Sequence, residues 1–128
     1  MQTRDQKYAV DAYYRVEKVK EIEEKDRKSY GSMAYKLPVL IRTAGLAQAL
    51  AFVVARGTPV QKQLLKDIEE TIGKHTNQTL QARAHLANLS DYIHLTQQVM
   101  DALLWYKRFA QSVLDIGDAA TEEDTSNG

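Results

Sequence analysis

The sequence predicts an all-α, single-domain bundle of five to six helices, with long first and last helices and a buried central one. Three observations carry this expectation. Apolar residues recur at three-and-four spacing through nearly every segment, the signature of a helix with one buried face. No alternating run of β-branched residues occurs, so strands are not expected. Glycine and proline are scarce, 6 and 2 in 128 residues, and most sit singly between the apolar-periodic segments.

Thr3 with Gln6 three residues later has the form of a capping box, and the run to about Lys28 lacks Gly and Pro. Ala9, Ala12, Tyr13, Val16 and Val19 fall on one face of this first helix. Beyond Val19 the stripe fails, and residues 20–28 form a charged extension with only Ile22 apolar. Such a segment projects into water or packs on something outside the chain. Lys20, Ile22, Glu23 and Glu24 are therefore candidates for a subunit interface.

Ser29-Tyr30-Gly31-Ser32 reads as the break after the first helix. Pro38 stands where a helix-opening proline belongs, and Leu37 to Ala55 is apolar almost all round, as expected of a central helix. Its lone charge, Arg42, is expected to be exposed in the first turns after Pro38, and Gly45 to permit close helix packing. Arg56-Gly57 supplies a cation and a glycine for a left-handed cap, and Thr58-Pro59 reopens the chain as N-cap and N1 proline. Val60, Leu64, Leu65, Ile68 and Ile72 give the next stripe, Gly73 to Thr79 a polar turn, and Leu80 to Leu89 a short helix. Ser90-Asp91 is placed to cap a final helix reaching about Ile116, with Tyr92, Leu95, Val99, Leu103, Tyr106, Ala110 and Val113 along its inner face. The expected core includes Leu40, Leu46, Leu50, Phe52, Val99, Leu103, Trp105 and Phe109. Residues 1–116 would be the bundle domain and 117–128 an acidic, polar, flexible tail.

Composition narrows the function. The absence of cysteine excludes a disulfide scaffold, a thiol nucleophile and thiolate metal sites, and fits a cytoplasmic protein. The apolar run from Thr43 to Ala55 is too short to span a bilayer. His75, His85 and His94 form no metal-binding helix motif, the six glycines are dispersed, and Glu23-Glu24 and Glu69-Glu70 read as charged helix faces. No catalytic constellation, metal or cofactor is expected. Lysine plus arginine and aspartate plus glutamate each total 17, yet four of the acids lie in 117–128, so residues 1–116 carry 17 − 13 = +4. Arg4, Lys7, Arg15, Lys18 and Lys25 share a stripe opposite the apolar face of the first helix. A one-sided row of cations can follow a phosphate backbone; an ordinary solvated face is the competing reading. Arg15, Lys18 and Lys25 are the leading RNA-binding candidates. Lys107 and Arg108 come next, within Trp105-Tyr106-Lys107-Arg108-Phe109, whose aromatics either stack on bases or anchor the core.

Two blocks carry a resemblance: Lys36-Leu37-Pro38-Val39-Leu40-Ile41-Arg42-Thr43-Ala44-Gly45-Leu46-Ala47-Gln48-Ala49-Leu50-Ala51-Phe52, and Tyr92-Ile93-His94-Leu95-Thr96 followed by Ala102 to Ala110. In order and separation they resemble the small helical subunit of the Cmr complex, the type III-B CRISPR effector that targets RNA. The resemblance covers about residues 1–116. It implies a non-catalytic building block, stacked in several copies beside the subunits that hold the guide, with other Cmr subunits, guide RNA and target RNA as partners. The acidic tail has no counterpart in it. A generic helical adaptor or dimerising bundle is the competing class, and a DNA-binding helix-turn-helix is third.

Overall fold

The computed structural model describes residues 2–73 and 77–117. His75 and nearly all of the acidic segment lie outside these residues. Among the described residues the chain forms six helices and one continuous hydrophobic core. Helix α1 (Arg4–Val19) opens with the capping box read from the sequence: Gln6 N–H donates to Thr3 Oγ1, and Thr3 N–H to Gln6 Oε1. Tyr8, Ala12, Val16 and Val19 are buried. Tyr13 is exposed, and Tyr8, which flanks the cationic stripe on a helical wheel, is core.

The charged segment after Val19 is not an overhang. It is a turn, and helix α2 (Glu24–Ala44) starts immediately after it. Glu21 and Ile22 N–H donate to Lys18 and Val19 carbonyls, tightening the last turn of α1. The Arg27 guanidinium reaches back to the carbonyls of Lys20 and Ile22 and satisfies groups that a helix end leaves open. Ile22 packs against the core, so this segment has a partner within its own chain.

Helix α2 runs unbroken through Ser29–Ser32, and Pro38 lies inside it rather than at its start. Burial explains both corrections. Residues Tyr30 to Tyr35, Leu37 and Pro38 are all buried, which outweighs the modest helical penalty of a glycine. Gly31 is a contact point: a Cβ there would stand 2.5 Å from Ile116 Cδ1.

The expected central helix is divided at Gly45 (φ +89°, ψ 160°), a conformation open essentially to glycine alone, into the end of α2 and helix α3 (Leu46–Arg56). Arg42 is exposed, in the last turn of α2. Leu46, Ala49, Leu50 and Val53 are buried, whereas Phe52 is 47% exposed, so Phe52 is a surface residue and not part of the core. Helix α3 has no side-chain cap of its own; instead the Ala47 N–H donates to the Tyr92 hydroxyl at 3.0 Å. That bond ties together the two sequence blocks behind the family resemblance. Gly45→Ala should cost about 1–3 kcal/mol through backbone strain, and Tyr92→Phe about 0.5–1.5 kcal/mol through the lost cap bond. Urea denaturation of both variants checks the pair, and equal, near-zero losses would contradict this account of the junction.

Helix α4 (Pro59–Ile72) has the expected Thr58 cap, extended to a full capping box with Gln61. Gly57 does not form a left-handed cap (φ −71°); it is constrained by the Val53 carbonyl, which a Cβ would approach to 2.5 Å. Helix α5 (Leu80–Leu86) is capped by Thr79 and ends before Leu89. Helix α6 (Leu89–Ser112) starts from Asn88, whose side chain accepts the Asp91 N–H at 2.8 Å, and not from Ser90-Asp91. It stops at Ser112, where the chain turns through Asp115 (φ +58°) and returns Ile116 to α2. Val99 and Leu103 are fully buried, and Trp105, Phe109 and Leu40 are half-buried against the core.

Candidate nucleic-acid interface

The cations expected to form one outward row are separated by the fold. Lys25 stands on α2, beyond the turn that ends α1, so the row is not a single helix face. Arg15 is half-buried and engaged internally: its Nε donates to Asp11 Oδ2 at 2.8 Å, and its Nη1 lies 4.0 Å from Asp67 Oδ1. It is the anchor of a polar network and not an outward charge. The hydrogen bond to Asp11 raises its pKa further.

That network joins four helices. The Thr71 hydroxyl lies 2.5 Å from Asp11 Oδ2 and 2.6 Å from the Tyr106 hydroxyl. A hydroxyl has one proton, and the carboxylate is the stronger acceptor, so Thr71 donates to Asp11 and Tyr106 donates to Thr71. Tyr30, fully buried, donates to Asp67 Oδ2 at 2.6 Å, and Gln63 Nε2 donates to Asp67 Oδ1 at 2.9 Å. Burial pushes the Asp67 carboxyl above its ordinary range and both phenols above theirs. These titratable groups converge, but each is satisfied by another. Neither the groove of about 690 Å³ between α4, α5 and α6 nor that of about 550 Å³ between α2 and α3 is lined by any of them. The arrangement is suited to holding helices together. Asp67 and Glu69 escaped sequence reading because acids one and three places from Ile68 and Ile72 look like an outer helix face. In the fold both are buried, and Glu69 Oε1 has no hydrogen-bond partner among the described residues.

Lys18, Lys107 and Arg108 are exposed and lie over aromatic rings. Lys18 Nζ sits 4.5 Å from the centre of the Tyr14 ring, itself 63% exposed; Lys107 Nζ is 5.4 Å from Tyr35, and Arg108 4.9 Å from Trp105. Such contacts hold a long cation out from the surface without neutralising it. Arg4, by contrast, pairs with Asp101.

The aromatics of the Trp105–Phe109 segment are used inside the fold. Trp105 stacks on Phe109, Phe109 meets Tyr13 edge-on, and Trp105 Nε1 donates to Asp5 Oδ1 at 2.9 Å, closing the seam between α1 and α6. Tyr106 is fully buried. This leaves charge, rather than base stacking, as the chemistry the segment offers a ligand. Of the interface candidates, Lys20, Glu23 and Glu24 are exposed in or beside the α1–α2 turn, and Glu24 pairs with Lys28. Leu86, Leu89 and Ile93, at 72%, 75% and 60% exposure, are open apolar side chains at the end of α5 and the start of α6 that periodicity alone did not single out.

His85 and His94 are exposed, and no group of three or more metal-ligating side chains is gathered among the described residues. No helix among them is long and apolar enough to cross a membrane.

Comparison with known proteins agrees with the sequence resemblance. The family model of the CRISPR-associated protein Cas_Cmr5 matches residues 4–113. The CRISPR system Cmr subunit Cmr5 of Thermus thermophilus is 44% identical over 116 residues, 90% of this chain and 99% of that protein. The crystal structure of a CRISPR-associated Cmr5 family protein from the same organism shares 44% identity at a TM-score of 0.80, covering 88% of this chain and 97% of the other.

Proposed function

Because the chain belongs to the Cmr5 family of CRISPR-associated proteins, we propose that it is a non-catalytic structural subunit of a type III-B ribonucleoprotein effector. In this reading it stacks in several copies with other Cmr subunits and helps hold the guide–target RNA duplex. The observation that carries the reading is the division of labour among charged groups. The one convergent polar cluster among the described residues is spent on joining helices, whereas Lys18, Lys107 and Arg108 stand exposed on aromatic supports. A subunit of this kind needs point charges for phosphate and no base-specific contacts, since guide pairing reads the sequence. Head-to-tail stacking needs two unlike, complementary patches. The exposed aliphatic residues Leu86, Leu89 and Ile93 and the charged α1–α2 turn around Lys20, Glu23 and Glu24 are two separate surfaces available for subunit contacts. Each calls for a partner patch of matching chemistry, apolar for the first and charged for the second.

The test is a variant carrying Lys18→Ala, Lys25→Ala and Lys107→Ala, assayed separately for assembly into a guide-loaded complex and for target RNA binding. Assembly should persist, affinity should fall, and the slope of log K against log salt should flatten by roughly 0.7–0.9 per lost phosphate contact. Stability should change by less than about 1 kcal/mol. Lost assembly would reassign these lysines to subunit contacts. Unchanged behaviour in both assays would return them to the solvated surface.

A further inference from the structure

On the outer side of α1, Lys7, Val10, Tyr14 and Lys18 follow one another at three-and-four spacing, in one line over about 16 Å of helix. All four are exposed, Val10 at 59% and Tyr14 at 63%. Tyr14 is the most open of the seven tyrosines and the one the fold does not use. Tyr8, Tyr30, Tyr35 and Tyr106 are buried, Tyr13 packs edge-on against Phe109, and Tyr92 caps α3. Among the described residues the Tyr14 ring has one aromatic or cationic partner, the Lys18 ammonium 4.5 Å from its centre.

The free charge along this line has one sign, for a local reason. Both acids beside it on α1 are engaged: Asp11 accepts from Arg15 and Thr71, and Glu17 accepts the Tyr13 hydroxyl at 2.9 Å. Neither Lys7 nor Lys18 has a carboxylate in pairing range among the described residues. An open ring between two unpaired ammonium groups matches a nucleotide, a flat π-faced base with a phosphate on either side. It matches a protein partner less well. One tyrosine and one valine offer far less apolar surface than the roughly 800 Å² per partner of a stable interface. A base inside a duplex is already stacked on both sides, so an unpaired nucleotide is the one with a face to give.

Building on the RNA-binding reading above, we propose that Tyr14 stacks on an unpaired RNA base while Lys7 and Lys18 hold the phosphates to either side. The contact is indifferent to base identity, because every base has a π-face, and so suits a complex whose sequence choice lies in its guide. It also gives this face of α1 a preference for single-stranded RNA. Lysines alone would favour a duplex, whose charge density is higher.

The test is an NMR titration of the full, isotopically labelled chain with two RNAs: a single-stranded oligoadenylate of about a dozen nucleotides, and a blunt, self-complementary duplex of the same length. With the single strand the Tyr14 ring protons should move upfield, into the shielding region of a stacked base; with the duplex they should scarcely move. Tyr14→Ala should weaken single-strand binding about 5- to 100-fold and leave duplex binding little changed, whereas Tyr14→Phe should bind as the natural protein does. Because the ring also supports Lys18, the alanine substitution is repeated on a Lys18→Ala background, where it should weaken binding again. An effect that vanishes without Lys18 would overturn the proposal and leave Tyr14 a support for that ammonium. An unmoved Tyr14 ring, while the resonances of Lys18, Lys107 and Arg108 respond to RNA, would overturn the stacking role and keep the cations as phosphate contacts. Silence of all these residues toward both RNAs would overturn the RNA-binding reading itself. Unchanged RNA binding by Tyr14→Ala, together with failed assembly into a guide-loaded complex, would assign the line to a protein partner.

Discussion

Tyr106→Ala is expected to destabilise the protein by about 3–5 kcal/mol, the range for deleting a large aromatic ring from a packed core. The ring is fully buried at the middle of the bundle, where α1, α4 and α6 meet, and its hydroxyl closes the Thr71–Asp11 chain. A loss of that size is a large share of the roughly 5–15 kcal/mol typical of a domain. Tyr106→Phe keeps the ring and removes only the hydroxyl, so it should cost about 0.5–1.5 kcal/mol. The contrast with Phe52→Ala is equally informative. Composition and periodicity put Phe52 in the core at the same loss of about 3–5 kcal/mol as Trp105→Ala; its 47% exposure reduces the expected loss to about 1 kcal/mol. Chemical denaturation of the three variants checks this ordering, and a Phe52→Ala loss equal to that of Tyr106→Ala would contradict the fold.

The second large effect is at Asp67. Asp67→Ala leaves the fully buried Tyr30 hydroxyl without its acceptor and Gln63 without its carboxylate, for an expected loss of about 2–4 kcal/mol. Asp67→Asn keeps one acceptor and should lose less. Aspartate and asparagine at this position also separate by pH. Burial raises the folded pKa of Asp67 above its unfolded value. The proton is therefore held more tightly by the folded state, and the resulting stabilisation is fully present below the unfolded pKa and is lost as pH rises through the folded one. The stability of the natural protein relative to Asp67→Asn should accordingly increase as pH falls from neutrality into the ordinary carboxylate range. Melting temperatures of the pair across that range test the sign, and a difference that shrinks on acidification would mean that hydrogen bonding and Arg15 outweigh burial at this site.

Arg15 shows why site residues were harder to read than helices. On a helical wheel it aligns with Lys18, and nothing local distinguishes the two. What separates them is Asp67 on α4, far along the chain, which together with Asp11 draws the guanidinium inward. Lys107 and Arg108 were legible as outward cations because their neighbours Tyr106 and Ala110 keep strict core spacing. That Tyr35 and Trp105 lie beneath them required the packed structure.

The all-α class, the Thr3–Gln6 and Thr58-Pro59 helix starts and the inner face of α6 were determined by the sequence alone, because capping, the fixed φ of an N1 proline and helical periodicity act between residues at most three or four apart. The tertiary structure decided where α1 ends, that α2 passes through Gly31 and Pro38, and that Gly45 divides the apolar run. For both glycines the partner is distant in the chain. Ile116 packs on Gly31, and Tyr92 supplies the first turn of α3 with its missing acceptor. A glycine within a helical pattern is locally ambiguous between a break and a close approach. Burial against a remote partner resolves it, since removing apolar surface from water contributes more than the roughly 1 kcal/mol that glycine costs a helix.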